Sequence, residues 1–298
     1  MRDINIQANN KVNIVGKLLD ATFNTGTLSD GRAYERATVT IRVTQTYGGQ
    51  TETSEIPVSM FATQYTTKGG INPAYKSIQD LKNMKTAQNV GLEEAANIRM
   101  TGASLRENAF VSRTTGQLIT GWQLNGSFIS TTSMADVASF STDIFIMDMR
   151  PEEDREGETT GRLIIKGGVV QYGGKLDILN FIVEQPEAVE YIERNWNVND
   201  TVSIVGRIRV TSREEPSSGA SSSWGEDIPD TTTRYVRELI LTKGDDQPKD
   251  EEFAYDPADI KKAFNVHQAN LQQLQVDAKS AKPKAAKVEA TPDKYSWA

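Results

Sequence analysis

Alternation is the clearest signal in this chain. From Ala33 to Thr46, Ala37, Val39, Ile41 and Val43 share one face of an extended segment, while Tyr34, Arg36, Thr38, Thr40, Arg42 and Thr44 share the other. That period of two is what a half-buried strand requires. Thr51 to Phe61 repeats it, with Ile56, Val58 and Met60 inward and Thr53, Glu55, Pro57, Ser59 and Phe61 outward, and Tyr47, Gly48 and Gly49 between the two runs form a hairpin signal. Upstream, Asn10 to Phe23 mixes Val, Ile and Leu with Asn and Lys and places Gly16 where a bulge or bend would fall. The Gly, Ser, Thr, Asn and Asp of residues 24–32 read as a turn. Residues 74–96 form a mixed stretch holding at least one helix, broken near Gly91, and strand character resumes at Asn97 to Val111 and Gln117 to Ser130. Strand, strand, strand, helix, strand, strand is the order of an OB-fold, a small five-stranded barrel.

The same order recurs. Ala138 to Arg150, Arg162 to Tyr172 and Lys175 to Glu184 read as three strands, Pro186 to Trp196 as a helix with proline at its start, and Asp200 to Ser212 and Thr233 to Lys243 as two more strands. The reading is therefore mainly β: two tandem OB-fold barrels, each with a connecting helix, over residues 1–135 and 136–243. Residues 244–298 follow as a third region. There GDDQPKDEE breaks structure, and Asp256 and Pro257 then cap a helix to about Lys279. Ile260, Phe264, His267, Leu271 and Leu274 give that helix one narrow apolar stripe, suited to docking on the same chain or on a second copy. A flexible tail to Ala298 carries Tyr295 and Trp297.

Composition narrows the chemistry. Across 298 residues there is no cysteine and a single histidine, which excludes Cys/His zinc sites and any cysteine nucleophile. His267 reads as an ordinary helix residue, and no phosphate-binding glycine loop is present. The expectation is a protein with no catalytic residue, metal or cofactor, without a membrane span or export signal, in a cytoplasm. The net charge of −7 is uneven: +3 over residues 1–135, −8 over 136–243 and −2 beyond. On charge alone the first region attracts a polyanion and the second repels one. The acidic run Glu152, Glu153, Asp154, Glu156 and Glu158 reads as a solvated loop, since it lacks the glycine and ligand spacing of a calcium loop.

One further pattern concerns the first region. Asn10, Lys11, Val12, Gly16, Lys17 and Leu18 in the opening strand, with Gly102, Leu105 and Arg106 in a later one, resemble the signature of the single-stranded-DNA-binding proteins of bacteria and their phages. The resemblance spans residues 10–130, with one extra residue in the second element. It implies an OB-fold that binds single-stranded DNA in replication or recombination, non-enzymatically. Family members usually have one OB-fold and an acidic tail ending in Phe, whereas this chain has a second barrel and ends in Tyr295, Ser296, Trp297 and Ala298. In architecture it is similar to a phage-type variant with added domains.

Sequence-nonspecific single-strand binding needs cations for phosphates and aromatic faces for bases. On the outward face of the second strand Tyr34, Arg36 and Arg42 alternate with small threonines, Arg32 opens that strand, and Tyr47 and Phe61 flank the next. Arg106, Phe110 and Arg113 lie in or beside the turn between the fourth and fifth strands, and Trp122 shares parity with Leu124 and Phe128, as fit for a core as for stacking. With Lys17 these are the candidate DNA contacts. Tyr295 and Trp297 are candidate contacts to replication or recombination proteins, and a homo-oligomer is left open. In the second barrel Tyr172, Trp196 and Trp224 suit core packing or loop anchoring better than stacking, given the negative charge around them. Two rival readings remain: a structural or scaffold protein of a virion or replisome whose barrels make only protein contacts, and a nuclease built on carboxylates and a metal.

Overall fold

The computed structural model describes residues 1–154, 156–216 and 231–280. Its elements are β1 (Asn10–Thr27), β2 (Ala33–Tyr47), β3 (Gln50–Thr63), α1 (Pro73–Leu81), α2 (Ala87–Val90), β4 (Asn97–Val111), β5 (Leu118–Gly126), β6 (Phe128–Thr131), β7 (Val137–Glu153), β8 (Thr159–Val170), β9 (Leu176–Val183), α3 (Pro186–Asn195), β10 (Thr201–Pro216), β11 (Thr231–Gly244) and α4 (Pro257–Ser280). The mainly β character and the closing helix agree with the alternation and capping signals in the sequence. Hydrogen bonding runs β1-β2-β3-β5-β4 and returns to β1, and again β7-β8-β9-β11-β10 and returns to β7. In each circuit the contact between the third and fifth strands is parallel and the others are antiparallel.

Strand β1 joins the circuits because its length serves three partners. Asn10 to Val15 pairs with β7, Val12 to Lys17 with β4, and Lys17 to Thr27 with β2. Gly16 sits at the crossing: a Cβ there would lie 2.2 Å from the Arg42 carbonyl oxygen, so any side chain would force the strands apart. Inside the first circuit Ala37, Val39, Ile41, Val43, Ile56, Val58 and Met60 are all buried, as their parity requires. Glu35 shares that parity and is fully buried. Helix α1 stops the open end there: Gln79 and Lys82 both engage the Glu35 carboxylate, and the amide of Ile129 donates to the Ser77 hydroxyl.

The single fifth strand read as Gln117 to Ser130 is two strands. β5 pairs with the outer half of β4, and β6 pairs with Ile98 to Thr101 at its base. The break at Gly126 and Ser127 ends the shared parity, so Leu124 is buried while Phe128 is exposed. The stretch after β11 is also better tied than its acidic composition indicates. The Asp245 carboxylate accepts from the Ser203 amide (2.7 Å), Lys249 reaches Asp143 (3.3 Å), and buried Tyr255 donates to the Ile6 carbonyl (2.9 Å). Asp143 itself lies buried where the circuits meet and takes hydrogen bonds from Arg2, the Asn9 amide and Ser203.

Two further contacts bind the halves together. The β2–β3 hairpin leans on β10: the Arg207 guanidinium packs over the Tyr47 ring (4.4 Å), and Glu52 engages both Arg207 and Arg209. Those arginines also hold Glu184 and Glu238, so the cations and acids form one partly buried network. Helix α4, capped by the Asp256 carboxylate accepting from the Ala258 amide (2.8 Å), docks on its own chain. Ile260 is buried, Phe264 packs beside Phe145 and Met147, and His267 meets Glu107 (3.3 Å).

Candidate nucleic-acid interface

The outer face of β1, β2 and β3 carries an aromatic and cationic cluster. Strand register sets Arg36 between Asn24 on β1 and Phe61 on β3, and Tyr34 between Gly26 and Thr63. Tyr34 and Phe61 are thus diagonal neighbours, within reach for aromatic side chains, and their centroids lie 5.4 Å apart at 39°. The Arg36 guanidinium is 5.5 Å from the Tyr34 centroid and 5.3 Å from that of Phe61. Gly26 makes the arrangement fit, since a Cβ there would come within 2.5 Å of the Tyr34 hydroxyl. Phe61 is 48% exposed and Arg36 is exposed. The next row, Thr22, Thr38 and Ser59, is small and uncharged. The result is a shallow, acid-free platform with two rings and a cation held over them.

The remaining candidates divide. Phe110 is exposed opposite Ile119 near the end of the β4–β5 hairpin, and Arg113 is exposed in its turn. Arg32 stays near the platform but pairs with Asp30 (2.7 Å), and that hydrogen bond lowers the Asp30 pKa. Arg42 sits against Glu55 (3.6 Å) across β2 and β3. Four candidates are engaged inside the fold. Lys17 donates to the Glu93 and Ala95 carbonyls (3.2 and 3.0 Å). Tyr47 lies under Arg207, where burial first and then Glu52 raise its pKa against the opposing pull of Arg207 and Gln45. Arg106 pairs with Asp177 (2.8 Å) and reaches the Gln171 side chain (3.2 Å). Trp122 is only 7% exposed, with Arg237 over its ring (4.4 Å). Each of these four side chains already has a partner, Lys17 within the first half and Tyr47, Arg106 and Trp122 across the packed junction of the halves. Tyr295, Trp297 and Trp224 lie outside the described residues. Of the other second-half aromatics weighed above, Trp196 is buried and donates to the Asp245 carbonyl (3.0 Å), and Tyr172 is exposed.

Sequence reasoning missed a cation and ring pair on the other, inward face of these strands, in the row of Ala37. Phe23, part-exposed on β1, has the Lys82 ammonium 5.5 Å from its centroid. The two meet because α1 returns Lys82 to Glu35, a contact that no spacing in the sequence announces.

Among solved structures the fold is similar to that of a protein named as a single-stranded DNA binding protein. The wild-type protein of that name from Thermus aquaticus matches 85% of this chain and 99% of its own, with a TM-score of 0.50 and 13% identity. A deletion mutant of the same protein matches 84% and 98%, again at 0.50, with 14% identity. By sequence, residues 8–277 match the YorF family, and the chain belongs to it. Comparison with curated proteins gives no match. Among the described residues, no helix is long and apolar enough to cross a membrane.

Proposed function

We propose that this chain is a non-enzymatic, sequence-nonspecific single-stranded-DNA-binding protein acting in replication or recombination in the cytoplasm of a bacterial or phage-infected cell. The two closed strand circuits are two tandem OB-fold barrels, residues 1–135 bearing the DNA and residues 136–243 accessory to it. Residues 244–298 supply α4 and a segment whose Tyr295 and Trp297 recruit replication or recombination proteins. The observation that carries the reading is the Tyr34, Phe61 and Arg36 cluster on the outer face of the first circuit. Stacking tolerates any base, since every base has a π-face, and Arg36 supplies charge for the backbone. The likeness in fold to a protein named for single-stranded DNA binding supports the same reading. An overall charge of −7 does not oppose it, because binding follows the local field and the platform rows hold no acid.

Titration of labelled oligo(dT) against duplex of equal length tests the proposal. Tighter single-strand binding is expected, with log K against log salt falling at about −3 to −4 if roughly five phosphates are neutralised. Equal affinity for duplex, or a slope near zero, overturns the reading in favour of a scaffold that makes only protein contacts.

A further inference from the structure

The second circuit has its own outer face, on β7, β8 and β9. There Ile164 stands between Arg150 and Ile182, and Lys166 between Asp148 and Asn180. Counted from the bulges that follow Leu18 and Ile146, these rows match Thr22, Thr38 and Ser59 and Asp20, Thr40 and Pro57 in the first circuit, the rows beside Asn24, Arg36 and Phe61 on the same outward side. The β4–β5 hairpin crosses this face: the Ile178 amide donates to Glu107 (2.9 Å), and Arg106 pairs with Asp177. Helix α4 closes one end with His267 and Leu271. Between hairpin and sheet remain two clefts of about 370 and 280 Å³ that share Thr120, Ile164, Ile178 and Asn180 and so form one groove.

Arg237, on β11, lines the narrower cleft. The Trp122 ring packs against it, while the residue stays exposed. Among the described residues no carboxylate pairs with Arg237, and the partial loss of water around its guanidinium lowers its pKa. Lys166 and Arg150 line the wider cleft. The acids beside them are largely engaged. Glu238 is held by Arg162 and Arg209, and Glu107 by the Ile178 amide and His267, while Asp148 stands opposite Lys166 in the register.

We propose that this groove is a second contact site for single-stranded DNA, with Arg237 as its stacking platform and Lys166 and Arg150 meeting the flanking phosphates. The proposal rests on the single-strand reading of the first face and extends it to a longer path on the same molecule. A planar guanidinium backed by an indole presents its other face to a base and keeps its charge for the backbone. The volumes suit single nucleotides, one at the lower end of the range that small ligands fill and the other just below it.

The test uses the full chain with oligo(dT) of about 8 nucleotides, within one site, and of about 35, longer than two such sites. On the longer strand Arg237→Ala is expected to bind about tenfold more weakly. Arg237→Lys should be nearly as weak, since it keeps charge and loses the plane, and Lys166→Ala should also lose affinity. On the shorter strand all three should stay within about twofold of the unsubstituted protein, the first face being independent. Thermal unfolding of each variant accompanies the titration. If removing Arg237 loosens Trp122, Lys166→Ala decides. Unchanged affinity of Arg237→Ala and Lys166→Ala on both lengths, with the unsubstituted protein binding, overturns the groove alone. A silent Tyr34→Ala beside a weakened Arg237→Ala supports the groove and removes the first face. No binding by the unsubstituted protein overturns both.

Discussion

The two outer faces share a strand order and differ in what lies on them. On the first circuit Tyr34, Arg36 and Phe61 stand open over small residues. On the second, the β4–β5 hairpin and α4 cover the equivalent strands and leave a groove. Elements from outside the second circuit, the hairpin of the first and the C-terminal α4, decide this difference, since each circuit's strands are paired in the same way. Counted charge misleads for the same reason. Residues 136–243 hold 12 Lys and Arg, but Arg162, Arg207 and Arg209 are bound to Glu52, Glu152, Glu184 and Glu238. What a nucleic acid meets is the set of cations still open to it.

The contact between the halves should give the largest effect on stability. Arg207 is 11% exposed and faces Glu52, Glu184 and the Tyr47 ring. Arg207→Ala takes one cation from two acids at a packed junction, leaving Arg209 to hold both. A loss of about 3 kcal/mol is expected in urea unfolding, at the lower end for broken buried pairs because both partners keep some water. A change under about 0.5 kcal/mol, the size of an ordinary surface substitution, would show that the network is decorative and the halves are held by β1 and β7 and by the β4–β5 hairpin and α4 contacts.

Next come the platform residues. Tyr34→Ala and Phe61→Ala should each weaken oligo(dT) binding by about 1 to 3 kcal/mol with the salt slope preserved, because a ring releases no counterions. Arg36→Ala should make the slope shallower by about 0.7, one phosphate's share on a single strand. Trp122→Phe, which leaves the platform untouched, should change stability more than short-strand affinity. The reverse outcome would restore Trp122 as a first-site contact.

Smaller effects come from three acids at or near the junction, and their signs oppose. Burial raises the Asp143 pKa, but hydrogen bonds from Ser203, Arg2 and the Asn9 amide, with Lys249 nearby, outweigh it and hold the group below its ordinary value. Asp143 therefore contributes stability that is present at neutral pH and lost as pH falls through its folded value. Glu107 and Asp177 run the other way. Burial holds both above the usual range, only partly offset by the Ile178 amide at Glu107 and by Arg106 at Asp177. Their folded state gives up stability as pH rises from the unfolded value, about 4, through the raised ones. In unfolding measured across pH, Asp143→Asn should flatten the acid limb and Glu107→Gln the decline toward neutrality. An acid limb unchanged in Asp143→Asn would contradict the first assignment.

Much of the fold was legible because parity is local. The inward set of β2 and β3 is buried as alternation requires, and Gly16 falls at a strand crossing. The platform was legible for the same reason: Tyr34, Arg36 and Phe61 are the outward complement of that set. Buried Glu35 was not, because its partners Gln79 and Lys82 arrive from a helix more than forty residues away. Lys17, Tyr47, Arg106 and Trp122 have the composition of DNA contacts, and their partners come from distant segments. Alternation shows which way a side chain points; only the packed structure shows what already stands there.

The most direct measurement is photo-cross-linking of an iododeoxyuridine-substituted oligo(dT) to the full chain, with the linked peptides sequenced. A short oligonucleotide that occupies one site should attach at Tyr34 and Phe61. Cross-links confined to the second circuit, at exposed Tyr172 or Tyr235, would contradict the assignment of the first face as the principal single-strand site.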